Sequence, residues 1–117
     1  MALQFYGLKT CDSCRAALKA LENSGLQIEI RDVRDDGVPE ELLRRALERH
    51  GADRLVNRRS TTWRGLDEAA RAADPVDLIR AHPTLMKRPL IVSHDGAVII
   101  GWDAGARAAL NLTWPMT

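Results

Sequence analysis

Residues 3–31 of this chain read LQFYGLKTCDSCRAALKALENSGLQIEIR, and they decide its fold. Leu3–Tyr6 is a short apolar run that ends at a glycine, which is typical of a buried strand. Apolar residues at helical spacing follow Cys14, and Gly25 stands where a helix commonly ends. Gln27–Arg31 alternates polar and apolar residues, which predicts a half-buried strand. A strand, a helix and a strand in so short a stretch predict a βαβ unit with parallel strands.

The middle of the chain, residues 34–86, predicts helices and no strand. A helical stripe of leucines and alanine precedes Gly51, where this helix ends. A second helical piece is expected over Trp63–Ala73 and a third over Pro75–Ala81, after an aspartate that suits the N-cap position. We therefore expect a helical insertion over about 34–86 in one domain, 1–117.

Strands return after this region. Leu90–Ser93 and Ala97–Ile100 flank an Asp-Gly pair, which is a strong hairpin signal. A last helix is expected over about Asp103–Leu110, and the tail Thr113–Thr117 is expected to fray. The order β-α-β, helices, β-β-α predicts the α/β class and fits a thioredoxin-like core.

The composition limits the classes of function. Of the 117 residues, 45% are hydrophobic, which is typical of a globular domain. Seventeen basic and sixteen acidic residues leave a net charge of +1, so no bulk field attracts nucleic acid or an anionic membrane. No apolar run approaches the roughly 20 residues of a membrane span, and no secretory signal pattern is present. We expect a cytoplasmic protein, in which two cysteines serve chemistry more often than a structural bridge.

The cysteine pair is the main candidate for that chemistry. Cys11 and Cys14 follow a predicted strand and open a predicted helix, whose free N–H groups and dipole favour a thiolate. Lys9 and Arg15 flank the pair and act in the same direction. Cys11 is therefore predicted to be the nucleophile, and Cys14, one turn later, to resolve a mixed disulfide.

Two other interpretations of the pair remain open. A zinc site needs further ligands, and the three histidines have no spacing that supplies them, so no metal is expected. The two cysteines are otherwise inert residues on a helix, as many free cysteines are.

A second feature is basic. Four arginines lie within eleven residues, and Lys87 and Arg88 come directly before a predicted strand. Arginine suits the bidentate binding of a carboxylate or an oxyanion. By itself such a cluster also fits a solvated helix face. The four are Arg54, Arg58, Arg59 and Arg64.

The motifs as a set resemble the arsenate reductase/Spx-like family, and most of all its YffB-type branch. They are Tyr6-Gly7-x-Lys9-x-Cys11-Asp12, Asn57-x-Arg59-x-Thr61-Thr62-Trp63-Arg64-x-Leu66-Asp67-Glu68 and Lys87-Arg88-Pro89-Leu90. The resemblance implies a thioredoxin-like fold with an inserted helical subdomain. It places the catalytic cysteine of the family on Cys11, an oxyanion-binding arginine on Arg88 and the fold's cis-proline on Pro89.

The departures from this pattern bear on the substrate. Arsenate reductases of the family have a histidine where Gly7 stands, and two further anion-binding arginines fall on Asn57 and Trp102. Arsenate is therefore expected to be a poor substrate. The YffB-type branch implies a glutathione-dependent thiol reductase, in which Arg58 and Arg59 hold one end of glutathione and Trp102 supplies apolar contact.

An alternative comes from the second cysteine. In having Cys14 as a second cysteine, the chain resembles the Spx regulators, which carry a Cys-x-x-Cys redox switch and bind RNA polymerase. Under the reductase reading the partner is glutathione or a small thiol or oxyanion substrate, without direct binding of nucleic acid or membrane. Under the alternative reading the partner is RNA polymerase.

Overall fold

A four-stranded sheet is formed by strands from the first third and the last third of the chain. The computed structural model describes residues 2–113, with side chains as far as residue 110. Its elements in chain order are β1 (Leu3–Gly7), α1 (Asp12–Asn23), β2 (Ile28–Asp32), α2 (Glu40–His50), α3 (Ala52–Leu55), α4 (Thr61–Arg64), α5 (Glu68–Arg71), α6 (Pro75–Ala81), a 3₁₀ turn (Pro83–Leu85), β3 (Leu90–Val92), β4 (Val98–Ile100) and α7 (Ala104–Thr113).

The chain divides into two units. The described residues up to Asp32 and from Arg88 onward form the sheet unit, and Val33–Lys87 forms the helical unit. In the sheet unit the strand order is β2-β1-β3-β4. β1 and β2 are parallel, and β3 is antiparallel to both β1 and β4. These pairings confirm the predicted βαβ unit, the hairpin and the α/β class. The single-domain description with an insertion over 34–86 stays a prediction.

One cluster of apolar side chains fills the sheet unit. It joins β1, β3 and β4 to α1 and α7, because the inward residues of each element recur at strand or helix spacing. Cys14 belongs to it and is only 1% exposed, so one of the two thiols is part of the core. The members are Leu3, Phe5, Cys14, Ala17, Leu21, Ile91, Ile99, Ala106 and Leu110.

The strand β2 departs from its predicted pattern. The alternation of Gln27–Arg31 predicts that Ile28 and Ile30 both face the core. Ile28 packs against the core cluster, but Ile30 is 53% exposed. β2 lies at the edge of the sheet, where the described residues leave more than half of Ile30 exposed.

The helical unit corrects one prediction. The prediction of one helix over Trp63–Ala73 is wrong, since two four-residue helices, α4 and α5, occupy this stretch. Each has its own start, because Ser60 Oγ accepts the Trp63 N–H (3.1 Å) and Asp67 Oδ1 accepts the Ala70 N–H (2.8 Å). A polar cap in mid-segment therefore overrides the helical pattern across it.

The other helical predictions agree with the structure to within a few residues. α2 ends before Gly51, and α6 follows the N-cap Asp74, whose carboxylate accepts the Val76 N–H at 2.9 Å. α3 and the 3₁₀ turn were not predicted. α7 continues to Thr113, and the rest of the predicted frayed tail lies outside the described residues. Within residues 2–113 no helix has the length and hydrophobicity needed to cross a membrane.

Candidate active site

Cys11 occupies the N-cap position of α1. A tight turn from β1 places it there, with the Cys11 N–H donating to the Leu8 carbonyl (3.2 Å) and the Cys11 carbonyl accepting the first helical bond from Arg15 (3.0 Å). Its backbone is extended (φ −87°, ψ 121°), as is usual at a helix start. The side chain makes no capping hydrogen bond, and the residue is half-buried at the positive end of the helix.

The surroundings of Cys11 favour its thiolate. Burial raises the pKa of the thiol, but the Cys14 backbone N–H, the Cys14 thiol and the Arg88 guanidinium outweigh burial, so the pKa lies below its ordinary value. The Cys14 N–H acts as a nearby donor rather than as part of a regular cap. The thiolate is the nucleophilic form of cysteine, and this position therefore suits attack on a disulfide.

Cys14 has the opposite character. Burial and, after it, the neighbouring Cys11 sulfur raise the pKa of Cys14 to about 12, against the Leu8 N–H and the Arg88 charge. Its thiol therefore keeps its proton and serves as a hydrogen-bond donor to Cys11. The two cysteines are free in this structure and close enough for their side chains to hydrogen-bond.

Arg88 is brought to the cysteines by the start of β3. It is half-buried, and its guanidinium hydrogen-bonds to the Cys11 thiol and adds its charge there. The Arg88–Pro89 peptide is cis, at the position that the family resemblance assigns to a cis-proline. The Pro89 carbonyl accepts the Gly101 N–H at 2.8 Å, which ties the start of β3 to the end of β4.

The flanking cations contribute less than the sequence predicts. Arg15 forms an exposed ion pair with Asp12, and Lys9 is exposed. The cation that lowers the Cys11 pKa is Arg88, which is remote in sequence. Local spacing alone therefore identifies the helix terminus but not the charge that acts with it.

Trp102 belongs to the same unit as the cysteines. It follows Gly101 directly after β4, is half-buried, and packs against the core cluster, as Cys11 does. An indole in this place offers apolar surface, where the family resemblance leads one to expect a cation.

Arg58 and Arg59 belong to the helical unit. Arg58 pairs with Asp53 and lies over the Trp63 ring, with its guanidinium carbon 5.7 Å from the ring centre. Arg59 is exposed, and its backbone N–H donates to Asn57 Oδ1 (3.1 Å). Their predicted part in substrate binding stays a prediction.

Two features of the cysteine site were missed from the sequence. The Leu8 backbone bonds to the Cys11 backbone N–H and to the Cys14 thiol, and Gly7 lies directly against Cys14. The glycine was visible at the end of the first strand, but the contact depends on the return of α1 over the sheet. In residues 2–113 no three His, Cys, Asp or Glu side chains gather in a way that could hold a metal ion.

Comparisons with known proteins agree with this geometry. Residues 6–109 match the ArsC family. An uncharacterized protein of Haemophilus influenzae is 39% identical over 102 residues, covering 84% of this chain and 89% of its own length. The solved structure of the YFFB protein matches with a TM-score of 0.82 at 31% identity, over 93% of this chain and 98% of that one. An arsenate reductase (ArsC) related protein from Brucella melitensis matches with a TM-score of 0.68 at 33% identity, over 93% of each chain.

These likenesses confirm the predicted thioredoxin-like fold and the resemblance seen in the sequence motifs. They support a thiol-reductase-like function and an oxidoreductase-like enzyme.

Proposed function

The chain belongs to the ArsC family, and we propose that it is a thiol reductase that works with glutathione, with Cys11 as its nucleophilic thiolate. One observation carries this proposal. A half-buried Cys11 with a lowered pKa lies beside a buried Cys14 whose thiol stays protonated. The pair thus has one sulfur prepared to attack and one prepared to donate a proton.

The first step is thiol–disulfide exchange at Cys11. The Cys11 thiolate attacks the glutathione sulfur of a glutathionylated thiol, the old S–S bond breaks, and the leaving thiolate takes up a proton. The substrate is thereby reduced, and Cys11 is oxidised to a mixed disulfide with glutathione. Arg88 holds an anionic group of the substrate near the Cys11 sulfur.

The mixed disulfide is resolved by one of two routes. In the first, a glutathione thiolate attacks the glutathione sulfur on Cys11, which regenerates the Cys11 thiolate and forms glutathione disulfide. In the second, Cys14 loses its proton and attacks the Cys11 sulfur, which releases reduced glutathione and leaves a Cys11–Cys14 disulfide. The pKa of about 12 at Cys14 supports the first route, whereas the thiol–thiol contact supports the second.

Groups around Cys11 suit a peptide-like ligand. Trp102 supplies an apolar surface, the exposed Lys9 supplies a positive charge, and Pro89 borders Arg88. Glutathione carries its carboxylates along an extended chain, so it needs no dense cluster of cations. We propose that these residues bind it.

A mass-spectrometric inventory after exposure to glutathione disulfide tests the proposal. We expect a glutathione adduct on Cys11 in the Cys14→Ser variant, and turnover of a glutathionylated model peptide by the unmodified chain. A Cys11→Ser variant is the matched control. An adduct confined to Cys14, or an absence of turnover with glutathione, would contradict the proposal.

We expect arsenate to be a poor substrate for this site. A compact oxyanion must be desolvated and needs several converging cationic donors. In the sequence, Asn57 and Trp102 occupy two positions at which the family resemblance expects such donors, and each lost charge-assisted bond costs about 1.5–3 kcal/mol. We expect calorimetry to show weaker binding of arsenate than of glutathione, and Arg88→Ala to weaken glutathione binding. Tighter arsenate binding accompanied by its reduction would overturn this assignment.

The Spx-like alternative is favoured by one observation, the proximity of the two free thiols, which lie close enough for Cys14 to lower the pKa of Cys11. Such a pair is suited to an oxidation switch without turnover. Copurification with RNA polymerase in one redox state, together with no glutathione turnover, would support a regulator. Turnover at Cys11 would support the reductase.

A further inference from the structure

Gly7, the last residue of β1, lies against the buried thiol of Cys14. A Cβ atom placed on Gly7 would come within 2.7 Å of Cys14 Sγ, 2.8 Å of Phe5 Cε1 and 3.3 Å of Cys14 Cβ. Its φ lies outside the left-handed region that five other glycines occupy. The backbone conformation at Gly7 is therefore open to any residue, and space is what requires a glycine there.

Both neighbours are buried in the core. Phe5 and Cys14 are each 1% exposed, and both belong to the core cluster of the sheet unit. Side chains in such a core interlock at high density, so an added methyl group forces a shift of its neighbours. The sulfur is the nearest atom to the added group and therefore the first that must move.

The position of the Cys14 sulfur also determines which groups it can hydrogen-bond to. In this position it meets the Leu8 N–H, and its thiol reaches the Cys11 sulfur. Leu8 follows Gly7 directly, so the glycine and the residue that supplies the N–H donor are consecutive and both lie beside the Cys14 thiol.

We infer that Gly7 is a positioning residue: the space left by its missing side chain holds Cys14 Sγ where it hydrogen-bonds to Cys11. The inference rests on the proposed function, because it explains how the two thiols acquire different roles. A side chain at position 7 displaces the buried sulfur and weakens its hydrogen bond to Cys11. The Cys11 thiolate then loses a donor, and Cys14 loses its line of attack on the Cys11 sulfur.

The second effect concerns closure of the disulfide. With glutathione disulfide as the oxidant, closure converts two protein thiols and one glutathione disulfide into one protein disulfide and two glutathione thiols. The last step needs the Cys14 sulfur in line with the Cys11–glutathione bond. Moving Cys14 therefore favours accumulation of the mixed disulfide.

The test is Gly7→Ala in the full chain, read by the pH profile of iodoacetamide alkylation at Cys11. We expect the midpoint to move upward and the Cys11–glutathione adduct to persist longer. In a Cys14→Ala background the same substitution is expected to leave the midpoint nearly unchanged, because the thiol donor is already absent. A merely structural role would give equal shifts in both backgrounds and would overturn the inference.

Gly65→Ala is the matched control. The added methyl group there would meet only backbone oxygens at 3.6 Å, which is an ordinary contact. It is expected to leave the Cys11 profile unchanged. If Gly65→Ala shifts the profile as Gly7→Ala does, the inference fails.

A second variant covers the case in which Gly7→Ala does not fold. Phe5→Leu with Gly7→Ala removes the ring atom at 2.8 Å and retains the contact with Cys14. The same upward shift is expected relative to Phe5→Leu alone, and an unchanged midpoint would contradict the inference. Failure of the proposed function is distinct, since it would appear as an ordinary, unreactive Cys11 in the unmodified chain.

Discussion

The helix α1 begins in a different way from three short helices of the helical unit. In the helical unit α4, α5 and α6 begin at Ser60, Asp67 and Asp74, whose side-chain oxygens accept N–H groups of the first turn. In the sheet unit α1 begins at Cys11, which makes no such capping bond. An oxygen cap uses the helix terminus for stability, whereas a cysteine leaves it available to a sulfur anion. The starts of α4, α5 and α6 thus serve stability, as does that of α7, where Asp103 Oδ1 accepts the Ala106 N–H, whereas the start of α1 serves reactivity.

The largest expected effect comes from removing the sulfur of Cys11. Cys11→Ser substitutes a hydroxyl that stays protonated near neutral pH, and we expect the rate of exchange with a glutathionylated peptide to fall at least about a thousandfold. Arg80→Ala, which breaks the exposed pair with Glu40 in the helical unit (2.7 Å), is expected to leave the rate unchanged. Comparable losses in both variants would contradict the division between a reactive and a stabilising helix start.

Cys14 is expected to make stability depend on alkaline pH. Above about pH 8.5 an unfolded cysteine loses its proton, while the folded chain keeps the Cys14 proton until its pKa of about 12. The unfolded state then binds fewer protons, so the free energy of unfolding falls as pH rises, by up to about 1.4 kcal/mol per pH unit. This contribution is fully present below about pH 8.5.

Urea unfolding of the reduced protein at a series of alkaline pH values measures this slope. Cys14→Ala is expected to show a shallower decline. The fully buried Val76 of the helical unit provides the control, since Val76→Ala lowers stability at every pH without changing the slope. Parallel curves for the unmodified chain and Cys14→Ala would show that the buried thiol is not held in its protonated form.

Lys87 and Arg88 sharpen the comparison, because these adjacent cations belong to different units. Lys87 Nζ donates to the Asp53 carbonyl at 3.2 Å, whereas Arg88 acts on the Cys11 thiol. We expect Arg88→Ala to raise the pH midpoint of Cys11 alkylation, since the hydrogen bond and the charge are both lost. Lys87→Ala is expected to leave it in place. The reverse order of effects would assign the active cation to Lys87.

Much of the sheet unit could be predicted from local patterns. The apolar run Leu3–Tyr6, the helical spacing after Cys14 and the Asp-Gly hairpin are each specified by a few consecutive residues. The exposure of Ile30 could not be predicted, because strand alternation shows which residues share a face and not how far along the strand that face is covered. The division of Trp63–Ala73 was missed because the cap of Asp67 competes with a continuous helical pattern.

The properties of the cysteine site also fall into those that local sequence predicts and those that depend on tertiary packing. The lowered pKa of Cys11 was predicted from the helix start, which is a local signal. The high pKa of Cys14 and its contact with Gly7 depend on packing between α1 and β1, which spacing does not encode. The position of Arg88 came from the family motif rather than from its neighbours in sequence.

The smallest expected effect concerns the cap of α5. Asp67→Ala removes the acceptor of the Ala70 N–H, and the typical value of such a cap is about 1 kcal/mol in the free energy of unfolding. Two hydrogen bonds from Arg71, to the Trp63 and Arg64 carbonyls (3.3 Å each), hold the same helix and remain in place.

Thermal or urea unfolding of Asp67→Ala, Asp67→Asn and the unmodified chain checks this value. Asn keeps a side-chain oxygen and is a good N-cap residue, so Asp67→Asn is expected to retain most of the stability. The Cys11 alkylation profile is expected to stay the same in both variants, because an oxygen cap contributes stability alone. A loss well above 1 kcal/mol would mean that α5 depends on its cap more than on the Arg71 contacts. A shifted Cys11 profile would mean that the starts of α5 and α1 do not act separately.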